Sequence, residues 1–358
     1  MSSALFSPLN LRKLTLPNRI VISPMCQYSA KDGCASDWHL MHIGQYSVSG
    51  SGMMIIEMTN VEARGRITPY CLGLYNDKTE AALARVMDFC NKYGNTPMAI
   101  QLAHAGRKAS TLPPWRGREP LKASNGGWQT VAPSAIAMDE HSPTPRALSR
   151  EEITDLIEGF VSAARRAKRI GFQAIELHGA HGYLLHQFLS PLSNQRKDDY
   201  GGSLENRLRL LLEIYDAVRG EVGADFPIGV RVSATDWVEG GWTPQQTVQL
   251  AQQLKARGCD WLDVSSGGLV AARIPNEPGY QVPFAAKVKA ETGITTMSVG
   301  LITEPQQAED IVRNGHADMV ALARGMLYEP RWTWHAAHAL GAQAAYPNQY
   351  LRCQPQTK

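Results

Sequence analysis

No two of the six cysteines (Cys26, Cys34, Cys71, Cys90, Cys259 and Cys353) are spaced as C-x-x-C. Zinc ribbons, redox pairs and iron–sulfur ligation rely on such spacing, so none of them finds support. Scattered single thiols suit a reducing compartment. Met1–Pro8 has no basic region followed by an apolar core, so the expectation is a cytoplasmic protein. Long apolar runs are also missing. Met53-Met54-Ile55-Ile56 is among the longest and falls far short of a bilayer span. The formal charge is only +3 over 358 residues, and no basic block is interleaved with aromatics. Nucleic acid is therefore not an expected partner. No fixed-period repeat and no low-complexity linker interrupt the chain, so residues 1–358 read as one domain.

What is present is a recurring order of strand and helix. Short apolar runs predict strands at Arg19–Ser23, Met53–Glu57, Pro97–Gln101, Ala174–Leu177, Ile228–Arg231, Trp261–Val264, Thr295–Val299 and Met319–Ala323. Runs that are apolar on both faces suit a parallel sheet covered by helices. Ser149-x-x-Glu152 is a capping box opening a helix over 153–170. Thr243-Pro244 and Thr303-Glu304-Pro305 mark two further helix starts, and leucines at helical spacing fill Glu205–Val222. Eight such units predict an α/β fold, a single (β/α)8 barrel with a long loop, Ala103–Arg146, after the third strand. A doubly wound sheet would place a glycine-rich turn after its first strand. This first strand ends in Pro24-Met25-Cys26 instead.

Barrel enzymes work at the carboxyl ends of their strands. In this register those ends carry Cys26 and Tyr28; Gln101 and His104; His178, His181 and Tyr183; Arg231; Ser265-Ser266-Gly267-Gly268; Gly300; and Arg324-Gly325. Titratable groups at the same end of strand after strand point to an enzyme. Gly300 and Arg324, after the last two strands, suit a phosphorylated ligand. Each residue also has a plain reading. The histidines could be core residues bonded to backbone, and a metal site would need ligands that do not stand beside them. Cys26 could be a small apolar side chain, and Arg324 half of a surface ion pair. Arg231, inside an apolar strand, needs an anionic partner.

Six motifs in order carry a family resemblance: Asn18-Arg19-Ile20 with Ser23–Tyr28; Gly65-Arg66-Ile67-Thr68; Gln101–Lys108; His178–Tyr183; Asp199–Arg207; and Arg231-Val232-Ser233. From about Phe6 to Arg352 the chain resembles the Old Yellow Enzyme family of FMN-dependent ene-reductases, in its bacterial xenobiotic-reductase branch. The resemblance implies an NADPH dehydrogenase that holds FMN, takes hydride from NADPH or NADH, and reduces small activated alkenes. Ser23, Pro24, Met25, Cys26 and Met58 would lie along the flavin. Gln101 and Arg231 would meet its pyrimidine edge, and Gly300, Ala323 and Arg324 its phosphate. His178 and His181 would bond the substrate oxygen, Tyr183 would give a proton to Cα, and Tyr28 would line the pocket. Cys26 would tune the flavin rather than attack. A homodimer or homotetramer would result, with Arg352 reaching a neighbouring subunit's site. Same-fold relatives with an added domain and an iron–sulfur cysteine cluster fit less well. So do a binding protein without turnover and a metal-dependent hydrolase.

Overall fold

A computed structural model describes residues 2–355. Eight parallel strands close into a barrel in chain order: β1 (Ile20–Ile22), β2 (Met53–Asn60), β3 (Met98–Ala103), β4 (Ala174–Gly179), β5 (Ile228–Ser233), β6 (Trp261–Ser265), β7 (Thr296–Val299) and β8 (Met319–Leu322). Outer helices follow each strand: α1 (Asp37–Ser47), α2 (Asp77–Tyr93), α3 (Arg150–Arg169), α4 (Leu204–Val222), α5 (Pro244–Ala256), α6 (Val282–Thr292), α7 (Pro305–Arg313) and α8 (Trp332–Ala339). The expected (β/α)8 architecture is the observed one.

Side chains along a strand alternate between the barrel interior and the helix layer. Ile20 and Ile22 pack outward with the main core, while Val21 points in. The lower interior is apolar, filled by Val21, Met53, Ile55, Ala99, Trp261, Met297 and Met319. An antiparallel hairpin, Leu9–Leu11 with Leu14–Leu16, contributes Leu11 and Leu16 to the same cluster. The sequence pattern gave no expectation of this hairpin, because its two three-residue arms are too short to show a period. Strands β5 and β6 share space unequally. A Cβ at Gly229 would stand 1.9 Å from the Trp261 ring, so the indole occupies the volume that position 229 leaves open.

Several strands run past their expected ends. β2 continues past Glu57 through the buried Thr59 and Asn60, where Asn60 Nδ2 bonds the Leu72 carbonyl at 2.8 Å. β4 includes His178 because the ladder with β5 extends to Gly179 and Val232. The start of α7 also differs from expectation. Its N-cap is Glu304 and makes no side-chain cap bond. By contrast, Ser149 and Thr243 both close capping boxes.

The long segment after β3 is built rather than loose. It holds three single-turn helices and a short parallel ribbon, Val131–Ala132 with Arg146–Ala147. Hydrogen bonds to the rest of the chain fasten it. Arg196 bonds the Pro133 and Leu148 carbonyls, and Trp128 Nε1 bonds the Arg64 carbonyl at 2.8 Å.

Candidate active site

Above the apolar layer the barrel interior turns polar. The inward alternation that places Ala174 and Trp261 low brings Glu176, His178, Arg231, Asp263 and Gln101 above them, all buried. Gln101 Nε2 donates to Glu176 Oε1 at 2.9 Å, and Trp261 Nε1 donates to Oε2 at 3.2 Å. Arg231 Nε lies 3.1 Å from Asp263 Oδ2. Its N–H is not aimed well enough to make a hydrogen bond, so both groups keep unused capacity. Burial pushes the carboxyls of Glu176 and Asp263 upward. The nearby Asp263 adds to this for Glu176, and Arg231 opposes it for both. The anionic partner that Arg231 requires therefore includes a carboxylate of the chain itself, on the adjacent strand. The sequence carried a usable signal, since an aspartate inside the apolar run Trp261–Val264 is as costly unpaired as the arginine.

Three rings meet at the mouth of β4. His178 and His181 stand with centroids 5.1 Å apart at 78°, and His178 and Tyr183 stand 5.1 Å apart at 66°. His178 Nδ1 is buried with no protein partner. His181 Nε2 lies 2.7 Å from Ser265 Oγ. Both imidazoles are held well below their usual pKa, by burial first and then by Arg231 and their basic neighbours, so they are neutral near pH 7. Tyr183 is pushed well above the usual phenol value by burial and by the nearby Cys26 and Tyr28, which keeps its proton on.

The backbone that presents these rings is constrained. His181 has φ 58°, in the left-handed region that a β-carbon disfavours. Its amide donates to Ser233 Oγ at 2.9 Å, and its carbonyl accepts from Lys108 Nζ at 2.8 Å. Gly182, also left-handed, donates to His186 Nδ1 at 2.9 Å, and His186 Nε2 lies 2.9 Å from Asp236. Gly268 presses against this turn; a Cβ there would stand 2.7 Å from His181 Cα. The sequence pattern marks none of Ser233, Lys108, His186 or Asp236 as supports; Ser233, Lys108 and Asp236 act across distances that only the closed barrel removes, whereas His186 is a local partner four residues from Gly182.

After β1 the chain runs extended through Ser23, Pro24, Met25 and Cys26. Glu57 anchors it, accepting from Gln27 N at 3.2 Å and lying 3.2 Å from His39 Nε2. Cys26, Tyr28 and Tyr183 pack with buried Met58 and Cys71 in one cluster. Burial first, then Cys71 and Glu57, raise the Cys26 thiol well above its usual value, so it is a neutral thiol. Tyr28 adopts φ 49° and meets Trp115 edge-on at 5.6 Å.

Gly300 follows β7 at φ 125°, and Ala323 and Arg324 follow β8. Arg324 is exposed and makes no ion pair among the described residues. Arg352 is exposed in the turn Asn348–Cys353, whose Tyr350 meets Trp334 at 6.1 Å, apart from the barrel mouth. No group of three or more His, Cys, Asp or Glu among the described residues is placed to hold a metal. No helix among them is long and apolar enough to cross a membrane.

The donor set fits a flat, phosphorylated heterocycle. Ser23 Oγ and Arg231 Nε are buried without hydrogen-bond partners, and Gln101 keeps its carbonyl oxygen free. A barrel with such a mouth defines a class: an oxidoreductase that binds a flavin mononucleotide. Comparison with known proteins agrees. Residues 4–343 match the NADH:flavin oxidoreductase / NADH oxidase family, and the chain belongs to that family.

Similar proteins include an NADPH dehydrogenase of Geobacillus thermodenitrificans, 45% identical over 98% of this chain and 99% of that protein. Another is an NADPH dehydrogenase of Listeria innocua, 46% identical over 98% and 99%. Among solved structures, morphinone reductase superposes with TM-score 0.80 at 28% identity, covering 97% of this chain and 92% of that one. A 2-naphthoyl-CoA reductase reaches TM-score 0.85 at 24% identity and shares the fold. This chain spans about half of its length, 52%. The protein is thus an FMN-dependent oxidoreductase with a reduced nicotinamide dinucleotide as electron donor.

Proposed function

We infer that the chain reduces the C=C bond of small activated alkenes whose double bond is conjugated to a carbonyl or nitro group. The observation that carries this reading is the meeting of two neutral imidazoles and one protonated phenol at a single strand end.

In this reading Ser23, Pro24, Met25, Cys26 and Met58 flank the flavin ring, and Gln101 and Arg231 meet its polar edge. Gly300, Ala323 and Arg324 hold its phosphate. FMN held there would supply the hydride chemistry that links the nicotinamide to the β-carbon of the alkene. His178 and His181 donate hydrogen bonds to the substrate's carbonyl or nitro oxygen. Neutral rings suit this task, because each can offer one N–H while buried without carrying a charge. Their bonds strengthen as negative charge gathers on that oxygen, which lowers the barrier. Tyr183 delivers the proton to the α-carbon, and its raised pKa keeps that proton available across the neutral range. Tyr28 and the neutral Cys26 shape the pocket wall. In a homodimer or homotetramer, Arg352 would reach a neighbour's site. Trp38, Met41, Phe89, Tyr93 and Tyr350, which are exposed apolar side chains, would then be covered. Sedimentation velocity tests this assembly, and a monomer at micromolar concentration would refute it.

The deciding experiment on the chemistry is Tyr183→Phe. Flavin absorbance and its bleaching by NADPH should persist. Reoxidation by an enone should slow by about 10² to 10⁴, the usual worth of a placed general acid. Reoxidation within about threefold of the parent would remove Tyr183 from the chemistry.

A further inference from the structure

The segment after β3 and the reactive end of β4 enclose a cavity of about 480 Å³, walled by Tyr28, Ile67, Lys108, Arg118, Met138 and Tyr183. None of its lysine and arginine side chains makes an ion pair among the described residues, although Asp236 and Asp139 lie near enough to act on Arg107. Lys108 Nζ donates to the backbone carbonyls of His181 at 2.8 Å and Gly268 at 2.9 Å. The guanidinium of buried Arg107 donates only to the backbone carbonyls of Ile136, Ala137 and Leu269. Arg118 makes no hydrogen bond or ion pair among the described residues.

Two carboxylates share the lining, but neither comes within 4.0 Å of these cations. Asp139 closes its own turn, accepting from Ser142 Oγ at 2.7 Å and His141 N at 3.0 Å. Glu119 folds back beside Gly117 at the exposed rim. An ammonium with only carbonyl acceptors is under-compensated, and an anion arriving from outside would relieve it. Burial, with Arg107 and Arg118 beside it, brings Lys108 down to about 8. The cations also stand at the reacting end of the cavity. Lys108 Nζ sits 5.1 Å from the centroid of the Tyr183 ring, and the charge of Arg118 reaches the hydroxyls of both Tyr28 and Tyr183.

The geometry points to an anion-accepting subsite in this cavity, in which Arg118 and Lys108 receive a carboxylate or phosphate carried by the molecule that reacts beside Tyr183. The subsite rests on the reading of Tyr183 as the reacting end. Two sources could supply the anion: an acidic electron acceptor, or the extra phosphate that distinguishes NADPH from NADH.

The test uses the flavin-loaded enzyme and two matched pairs of ligands at low ionic strength. In the first arm 4-hydroxybenzoate and its methyl ester are titrated against the flavin absorbance. In the second, flavin bleaching by NADPH and by NADH is followed by stopped flow. An unpaired cation near an incoming anion favours the acid, or NADPH, by about three- to tenfold, and 1 M salt should erase much of that preference. Arg118→Ala should bring the affected ratio toward one, and Glu119→Gln should raise it.

A change in the first ratio alone assigns the anion to the acceptor. A change in the second alone assigns it to the nucleotide phosphate. Ratios that stay equal in the parent and both variants in both arms overturn the subsite. If the neutral ester leaves the flavin spectrum untouched, the proposed alkene site fails, and the nucleotide arm still tests the subsite.

Discussion

Replacing Gly268 by alanine tests how tightly the barrel mouth fixes His181. The glycine sits at φ 91°, and an added Cβ would meet His181 Cα at 2.7 Å, its carbonyl carbon at 2.8 Å and its oxygen at 2.9 Å. These are backbone atoms, so no rotamer change relieves them. Reaching ordinary contact at 3.4 Å requires a shift of 0.7 Å (3.4 less 2.7). The turn cannot retreat freely, because Ser233 and Lys108 hold the His181 amide and carbonyl from other sides. A left-handed alanine costs about 1–2 kcal/mol, and the forced backbone shift adds about 1–3 kcal/mol. Together they predict a loss of about 2–5 kcal/mol in urea unfolding. Productive geometry tolerates about 0.5 Å, and a 1 Å misplacement costs about 10² in rate. Enone-dependent kcat/KM should therefore fall by about 10- to 100-fold. Gly341→Ala is the matched control. It shares positive φ, at 62°, but has nothing within 4 Å, so it should cost about 1 kcal/mol and leave turnover alone. Gly268→Ala protein with parental stability and activity within about twofold would refute the claim that this contact sets the histidine's position.

Two further outcomes follow from buried charge. Asp263→Asn leaves Arg231 without its nearest carboxylate and should lower stability of the flavin-loaded protein by about 3 kcal/mol, read from urea midpoints. An unchanged midpoint would mean that Glu176 or bound flavin already satisfies the arginine. Burial raises the Glu62 carboxyl, but the bond from His104 at 2.6 Å and the charge of Arg64 outweigh this and hold it at about 2, against an ordinary 4.5. A depressed acid favours the folded state above its unfolded value and loses that contribution on acidification. Stability should therefore fall as pH drops from 4.5 toward 2. Glu62→Gln should flatten that part of the urea-midpoint profile, and an equal slope in both proteins would count against the pairing.

Much of the architecture was legible because the strands are apolar on both faces and bounded by turn residues. Ile20–Ile22 and Met319–Leu322 needed nothing beyond that pattern. Helix starts were legible where a side chain caps them, as at Ser149 and Thr243, and less so at Glu304, where none does. The candidate site was half visible. His178, His181 and Tyr183 lie within six residues of one another, so a single motif reveals them. Their supports do not. Ser265 is 84 residues from His181, and Lys108 is 73 away, and only closure of the barrel joins them. Strand ends misled for a related reason. Asn60 looks like a polar residue beyond a strand, yet its long-range bond to the Leu72 carbonyl and its pairing with Ala103 keep it in the ladder.

The indole of Trp261 and the missing side chain at Gly229 are two halves of one volume. Neither residue is free to change alone. Any bulk gained on the fifth strand must be surrendered on the sixth, and shrinking the sixth without a gain on the fifth would open a hole beneath the charged layer. Over generations these two positions should drift only in step, as a lock drifts with its key.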